Sequence, residues 1–194
     1  SLVAAVGRIA KKAGARPIIA DSPGSGLPNT RGTLKRLYQV CGMMQAAEEA
    51  GIEVNWDTSF QHVSFLDGKL IKHFEVITPI LTANGVVNLC KLKTHSFTAM
   101  TGAVKNLFGA ICGYAKPGYH AKLRDAPRFA GMLLDLAGFL SPRVSIMDAV
   151  VGMEGEGPSS GTPRQVGLLL ASADPLALDV AAGEVMGIPR EHNP

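Results

Sequence analysis

The order of apolar runs constrains this chain more than any single motif. Five short runs read as strands: RPIIA (16–20), IEVNW (52–56), VVNLCKL (86–92), RVSIMDAVV (143–151) and QVGLLLASA (165–173). Between them lie longer stretches with apolar residues three and four apart, the helical period. In 2–14, Leu2, Val6, Ile9, Ala10 and Ala13 share a face, and Gly14 suits the stop. A second helix is predicted from a Thr33 cap to about Ala50, closed by Gly51. A third covers 98–112, with Ala103, Val104, Leu107, Phe108 and Ile111 on one side. A fourth covers 128–140 and must stop before Pro142. The last covers 174–187, with Asp174 as cap and Pro175 at the first position. Strand-then-helix order predicts an α/β fold, a mostly parallel sheet with helices on both faces. Only 60–77 breaks the order. FQHVSFLDGKLIKHFEVI is two strand-like runs around Asp67-Gly68, which predicts an inserted β-hairpin.

The composition allows a sizeable core in one α/β domain of 194 residues, at 46% hydrophobic and 18% charged. A net charge of +3, with no block of Lys and Arg, argues against a nucleic-acid surface. No apolar run reaches a membrane-spanning length, so no membrane partner is expected. Cys41, Cys90 and Cys112 are odd in number and far apart, with no CxxC pair. That spacing suits a cytoplasmic chain with reduced thiols and supplies no internal metal or cluster motif. Both ends read as cuts, so a fragment of a longer protein is expected.

The polar residues gather after the predicted strands. Asp21 and Ser22 follow the first; Lys91, Lys93, Thr94 and His95 follow the third. Asp148 lies at the end of the fourth, before Glu154 in a glycine-rich loop, and Asp174 follows the fifth. In an open parallel sheet, ligands bind outside the carboxyl ends of the strands, so one rim is expected to hold them all. If the third strand persists to residue 95, alternation places Lys91, Lys93 and His95 on one face. On a helix from residue 98, Thr98, Thr101 and Lys105 form a row, and the free N–H groups at its start favour an anion. The expected site therefore has Lys93, His95 and Lys105 as its catalytic candidates. Asp21, Ser22, Lys91, Thr98, Thr101, Asn106, Asp148, Glu154, Asp174 and Asp179 are the remaining ligand-binding candidates. The ligand expected is a small anionic molecule.

Each candidate has a structural alternative. Lys91 and Lys93 could pair with Asp148 or Asp174, and His95 could merely cap its turn. Asp179 could serve only the dipole of its helix, and Glu154 could face water. Gly24 and Gly26 in SPGSG could cradle a phosphate, yet they form neither a Walker loop nor GxGxxG. His62 and His73 suit a pair across the hairpin, and His120 a solvated loop. No serine has a nucleophile-elbow setting. A cation bound by His95, Asp148 and Asp174 would be opposed by the neighbouring lysines.

Four segments carry a resemblance: GARPIIADSPG (14–24), VVNLCKLKTHSFTAMTGAVKNLFGAICG (86–113), SIMDAVVGMEGEGPSSGTPR (145–164) and LLLASADPLALDVAAGEVMGI (168–188). They resemble the domain of unknown function 362 family, often found in iron–sulfur cluster-binding proteins. The resemblance implies that Lys91, Lys93, His95, Lys105, Asn106, Asp148, Glu154, Asp174 and Asp179 occupy recurring polar positions of the family. It implies 4Fe-4S clusters in a ferredoxin-like segment of the same chain, outside these residues, and so a possible oxidoreductase. The expectation from another class is a non-catalytic module that docks a ferredoxin domain or a protein partner.

Overall fold

The computed structural model describes residues 1–24 and 26–189. The chain divides into two compact units. One comprises Ser1–Val63, Glu75–Ala83 and Gly109–Tyr119; the other comprises Ser64–Phe74, Asn84–Phe108 and His120–Pro194.

The first unit opens with α1 (Leu2–Lys12), capped by the Ser1 hydroxyl, which accepts from the Ala4 N–H. β1 (Ile18–Ile19) pairs in parallel with β2 (Glu53–Val54), and between them lie α2 (Arg31–Val40) and α3 (Met43–Ala50). The single helix predicted from Thr33 is thus two. Gly42 at φ +76° breaks it, and Thr30, not Thr33, is the cap, its hydroxyl accepting from the Thr33 N–H. Small residues let α1 approach α3: Ala4, Ala46 and Ala50 form a core with Val3 and Ile52. A Cβ at Gly7 would lie 2.7 Å from Ile52. Strand β1 is shorter than RPIIA suggests, and Ile18 is exposed.

β3 (Phe60–Ser64) and β4 (His73–Ile77) form the two-stranded sheet expected of the 60–77 segment. Asp67-Gly68 is not a two-residue turn within it; the connection runs from Phe65 to Lys72, whose carbonyl accepts from the Phe65 N–H. α4 (Thr78–Leu81) follows directly.

The second unit holds a four-stranded sheet in the order β6-β5-β7-β8. It comprises β5 (Val87–His95), β6 (Ala99–Thr101), β7 (Val144–Glu154) and β8 (Thr162–Ser172). β5 and β7 are parallel, while β6 pairs antiparallel with β5 and β8 antiparallel with β7. The sheets are therefore small and mixed, and the mostly parallel sheet expected from the sequence is not formed. The reason is local. Residues 155–161 join β7 to β8 with no helix, too short a link for a parallel crossover. The chain also turns back after His95, where Ala99 takes φ +56°, to make β6 in place of a helix start.

The helices are α5 (Ala103–Asn106), α6 (Lys116–Lys122), α7 (Ala126–Leu140) and α8 (Pro175–Met186). The sheet buries Cys90, Leu92, Met147 and Ala149 on one face, against Met100, Ala103, Leu178 and Ala182. Strand alternation puts Val87 and Lys91 on the other face, with Asp148 and Leu169 beside Lys91 in the ladder. There Val87 is 45% and Leu169 60% exposed, so the expected second helical layer does not cover these positions. Asp135 of α7 fixes the connection between β3 and β4: its carboxylate accepts from the N–H groups of Lys69, Leu70 and Ile71 at 2.8–2.9 Å.

Candidate functional site

Strand β5 persists to His95, but its ladder with β7 shifts register between Lys91 and Lys93. Lys91 Nζ lies 2.9 Å from Asp148 Oδ2. Lys93, beside Thr101 of β6 and Met153 of β7, instead donates to the Pro158 carbonyl at 3.3 Å. The glycine-rich connection 155–161 lies against the end of β5. The Thr94 hydroxyl donates to the Gly155 carbonyl at 2.9 Å, and the Ser96 N–H donates to the Gly157 carbonyl at 3.2 Å. A Cβ at Gly157 would collide with the Thr94 carbonyl, so this approach requires glycine.

His95 is oriented by its own turn. Its Nδ1 accepts from the N–H of Phe97 at 3.0 Å and of Thr98 at 3.4 Å, which leaves the ring proton on Nε2. Burial pushes the imidazole down to about 4, and the charges of Lys105, Lys93 and His120 push the same way. His120, on α6, stacks on Phe129 of α7 with ring centroids 4.4 Å apart. Lys105 Nζ lies 4.9 Å from the centroid of the same Phe129 ring. Burial, then Lys105, lowers the His120 imidazole as well. Lys93, His95, Lys105 and His120 thus form one basic neighbourhood, two lysines beside two imidazoles pushed toward the neutral form. Sequence reasoning left His120 in a solvated loop, and no local pattern marks its approach to Lys105.

The carboxylates of the expected rim are committed elsewhere. Asp148 holds Lys91 and also accepts from the Val150 N–H. Glu154 pairs with Arg164 at 3.3 Å, both largely exposed. Asp174 caps α8 through the N–H groups of Leu176 and Ala177. It also lies at the wrong end of the sheet. Ser172 sits beside Ser145, whereas Glu154 sits beside Thr162. Nine residue steps at about 3.3 Å each separate those ends by about 30 Å. The antiparallel direction of β8 is the physical reason that Asp174 does not share an end with Glu154, and Asp148, paired with Leu169 in mid-ladder, lies at neither end.

The helix starts at Ala103 and not at Thr98, and Asp179 occupies its first donors: the two carboxylate oxygens accept from the N–H groups of Ala103 (2.5 Å) and Val104 (2.9 Å). Burial raises this carboxyl to about 6, against the opposing effect of those hydrogen bonds. A Cβ at Gly102 would collide with it. Thr98, Thr101 and Lys105 lie on a turn, on β6 and on α5, not along one helix. The Thr98 hydroxyl donates to the Met100 carbonyl at 3.1 Å, and the buried Thr101 hydroxyl has no partner among the described residues. Asn106 has a structural set of contacts: its amide donates to Asn88 Oδ1 (2.8 Å) and the Leu89 carbonyl (2.9 Å). Asn88 in turn donates to the Ala103 carbonyl and to Ser145 Oγ, a buried network that sequence reasoning missed.

Asp21 and Ser22 belong to the first unit. The Ser22 N–H donates to Asp21 Oδ1 at 2.7 Å, its hydroxyl donates to the Ile111 carbonyl, and Lys116 Nζ donates to the Ser22 carbonyl at 2.9 Å. Desolvation raises the Asp21 carboxyl, and Lys116 and the Ser22 N–H oppose the rise. In the SPGSG loop, Ser25 lies outside the described residues, and Gly24 and Gly26 have open space beside them. His73 meets the Ser64 hydroxyl at 3.2 Å, and the His62 ring lies edge-on to Phe60.

Within the second unit a cavity of about 230 Å³ opens beside the basic neighbourhood. Thr98, Lys105 and Asp179 bring polar atoms to it, and Leu133, Leu176 and Val180 are among its apolar walls.

Comparison with known proteins adds three findings. A family model described as domain of unknown function (DUF362) matches residues 1–184. The thylakoid-associated protein sll1697 of Synechocystis sp. is 34% identical over 186 residues, covering 95% of this chain and 56% of that protein. The chain thus spans little more than half the length of that relative. No solved structure matches.

Proposed function

We propose, for a chain that belongs to the DUF362 family, that the second unit binds a small anionic ligand beside the end of β5. Lys93, His95 and Lys105 hold the anion, and His120 completes the set. The observation that carries this reading is the set of basic side chains gathered around His95, whose Nδ1 is fixed by the N–H groups of Phe97 and Thr98: Lys105 and His120 meet on one Phe129 ring, and burial, then Lys105, Lys93 and His120, disfavour protonation of the His95 ring. Basic groups so gathered are stabilised by a bound anion. His95 offers Nε2–H to the ligand while its Nδ1 is held by the backbone. Calorimetry with sulfate and phosphate tests the reading: Lys93→Ala and Lys105→Ala should each weaken binding at least tenfold. Wild-type protein that binds neither anion at millimolar concentration overturns it.

A redox use of this site would draw electrons from a 4Fe-4S cluster outside these residues. The cysteines present do not fit a cluster. Burial and Asp179 push the Cys90 thiol up to about 12, and burial raises that of Cys112. Among the described residues no group of three His, Cys, Asp or Glu could hold a metal ion.

A second reading, docking of a ferredoxin-like segment or protein partner, is favoured by one observation. The sheet face around Lys91 and Asp148 exposes Val87 and Leu169. Cross-linking of the native chain from Leu169→Cys tests it. Three unpaired cysteines suit the reducing cytoplasm proposed for this protein. Among the described residues no helix is long and apolar enough to cross a membrane. The relative's name associates that protein with the thylakoid, and cell fractionation decides the location of this one.

A further inference from the structure

We infer that the ligand is an amphiphile, a single anionic head on a short unbranched or ring-bearing apolar tail. This inference rests on the anion site proposed above and names the ligand class that site takes. Two residues join the site to the cavity. Lys105 both acts on His95 and lines the cavity. Thr98 both holds His95 through its N–H and lines the cavity. An anion held at Lys105 and the His95 ring therefore stands next to the cavity, within reach of its apolar walls.

The walls set what that remainder is. Leu133 is buried, whereas Leu176 and Val180, also on the lining, are 49% and 38% exposed. Covering them is the driving force for a tail. Asp179, the one carboxylate among the described lining residues, already spends both oxygens on the Ala103 and Val104 N–H groups. Its presence on the lining disfavours a second anionic group on the ligand, which argues against dicarboxylates and sugar bisphosphates. At about 230 Å³ the space is below the roughly 300–1,000 Å³ of sites for larger ligands. With about 30 Å³ for each water-sized group, it admits a tail of roughly seven heavy atoms.

The test is calorimetry of the full chain with acetate, butanoate, hexanoate, octanoate and dodecanoate, with glutarate as the dicarboxylate. Affinity should rise about fourfold per added methylene, then level off near six to eight carbons. Glutarate should bind no more tightly than acetate. Val180→Phe, which fills the cavity, should remove the gain from chain length. Lys105→Gln should weaken every member of the series at least tenfold. If affinity depends on Lys105 but not on chain length, the anion site stands and the amphiphile is overturned. If the series binds with no dependence on Lys93 or Lys105, the anion site itself fails. A Val180→Phe protein that retains the full chain-length gain also overturns the placement of the tail.

Discussion

Lys91 Nζ and Asp148 Oδ2 lie 2.9 Å apart across the parallel β5–β7 ladder, on the sheet face that also exposes Leu169. The pair is solvated, with side chains 46% and 29% exposed, so its net worth is small. Lys91→Ala should cost at most about 1 kcal/mol in urea unfolding. It should also leave sulfate affinity within twofold of wild type, because the pair takes Lys91 out of the anion cluster. A tenfold loss of sulfate binding in Lys91→Ala would put Lys91 back into the site.

His95 gives the anion site a signed pH dependence. Its folded-state value is near 4 and its ordinary value 6.5. Between those values the unfolded chain binds a proton that the folded chain refuses, so this histidine lowers stability as pH falls from 6.5 toward 4. An anion offsets Lys105, Lys93 and His120 and makes the charged ring acceptable. Sulfate keeps its charge over this range, so its affinity should rise as pH falls below about 6.5, with uptake of up to one proton. His95→Gln should abolish the part of that uptake due to residue 95, leaving the contribution of His120. Calorimetry in buffers of different ionisation enthalpy reads it, and no change in proton uptake on mutation sinks the assignment.

The sequence displayed the elements better than their directions. The Asp174-Pro175 start of α8 is readable, since a cap is local chemistry, whereas the strand expected over 86–92 runs on to His95. The direction of β8 is a property of its connection. Residues 155–161 leave no room for a crossover helix, a sign that was present but obscured by reading the strands too short. That error placed Asp174 on a rim from which it is separated by the length of a strand. The helix expected from Thr98 failed because Ala99 adopts φ +56° and β6 pairs with β5, a tertiary preference that no local propensity announces. The approach of His120 to Phe129 and Lys105 joins distant segments and had no sequence signal.

Asp135 is buried, and its carboxylate serves three consecutive N–H groups, those of Lys69, Leu70 and Ile71. Asp135→Ala leaves those donors without their acceptor, and water entering the opened space meets only part of the need. The expected cost is about 2–4 kcal/mol in chemical unfolding. Hydrogen exchange should localise the change: residues 69–71 lose protection first, while the amides of the β7–β8 ladder keep theirs. A loss below about 1 kcal/mol would mean that this segment finds other acceptors.

Asp179 pulls stability the opposite way from His95. Its carboxyl is raised from 3.8 to about 6, chiefly by burial. Between those values the folded chain keeps a proton that the unfolded chain releases, so stability falls as pH rises through the window and stays lower above it. Roughly two pH units correspond to about 3 kcal/mol at most. Asp179→Asn cannot ionise, yet its amide keeps one oxygen to accept from Ala103 or Val104. The mutant should therefore be less stable than wild type near pH 4, where both side chains are neutral and the protonated acid can better serve the two N–H donors. It should recover relative to wild type as pH rises from 4 toward 6, and hold that gain above 6. Subtracting the two unfolding profiles cancels the contribution of His95 and isolates this residue. A difference that stays flat from pH 4 to pH 7 would show that Asp179 is ionised throughout, held so by the N–H groups of Ala103 and Val104.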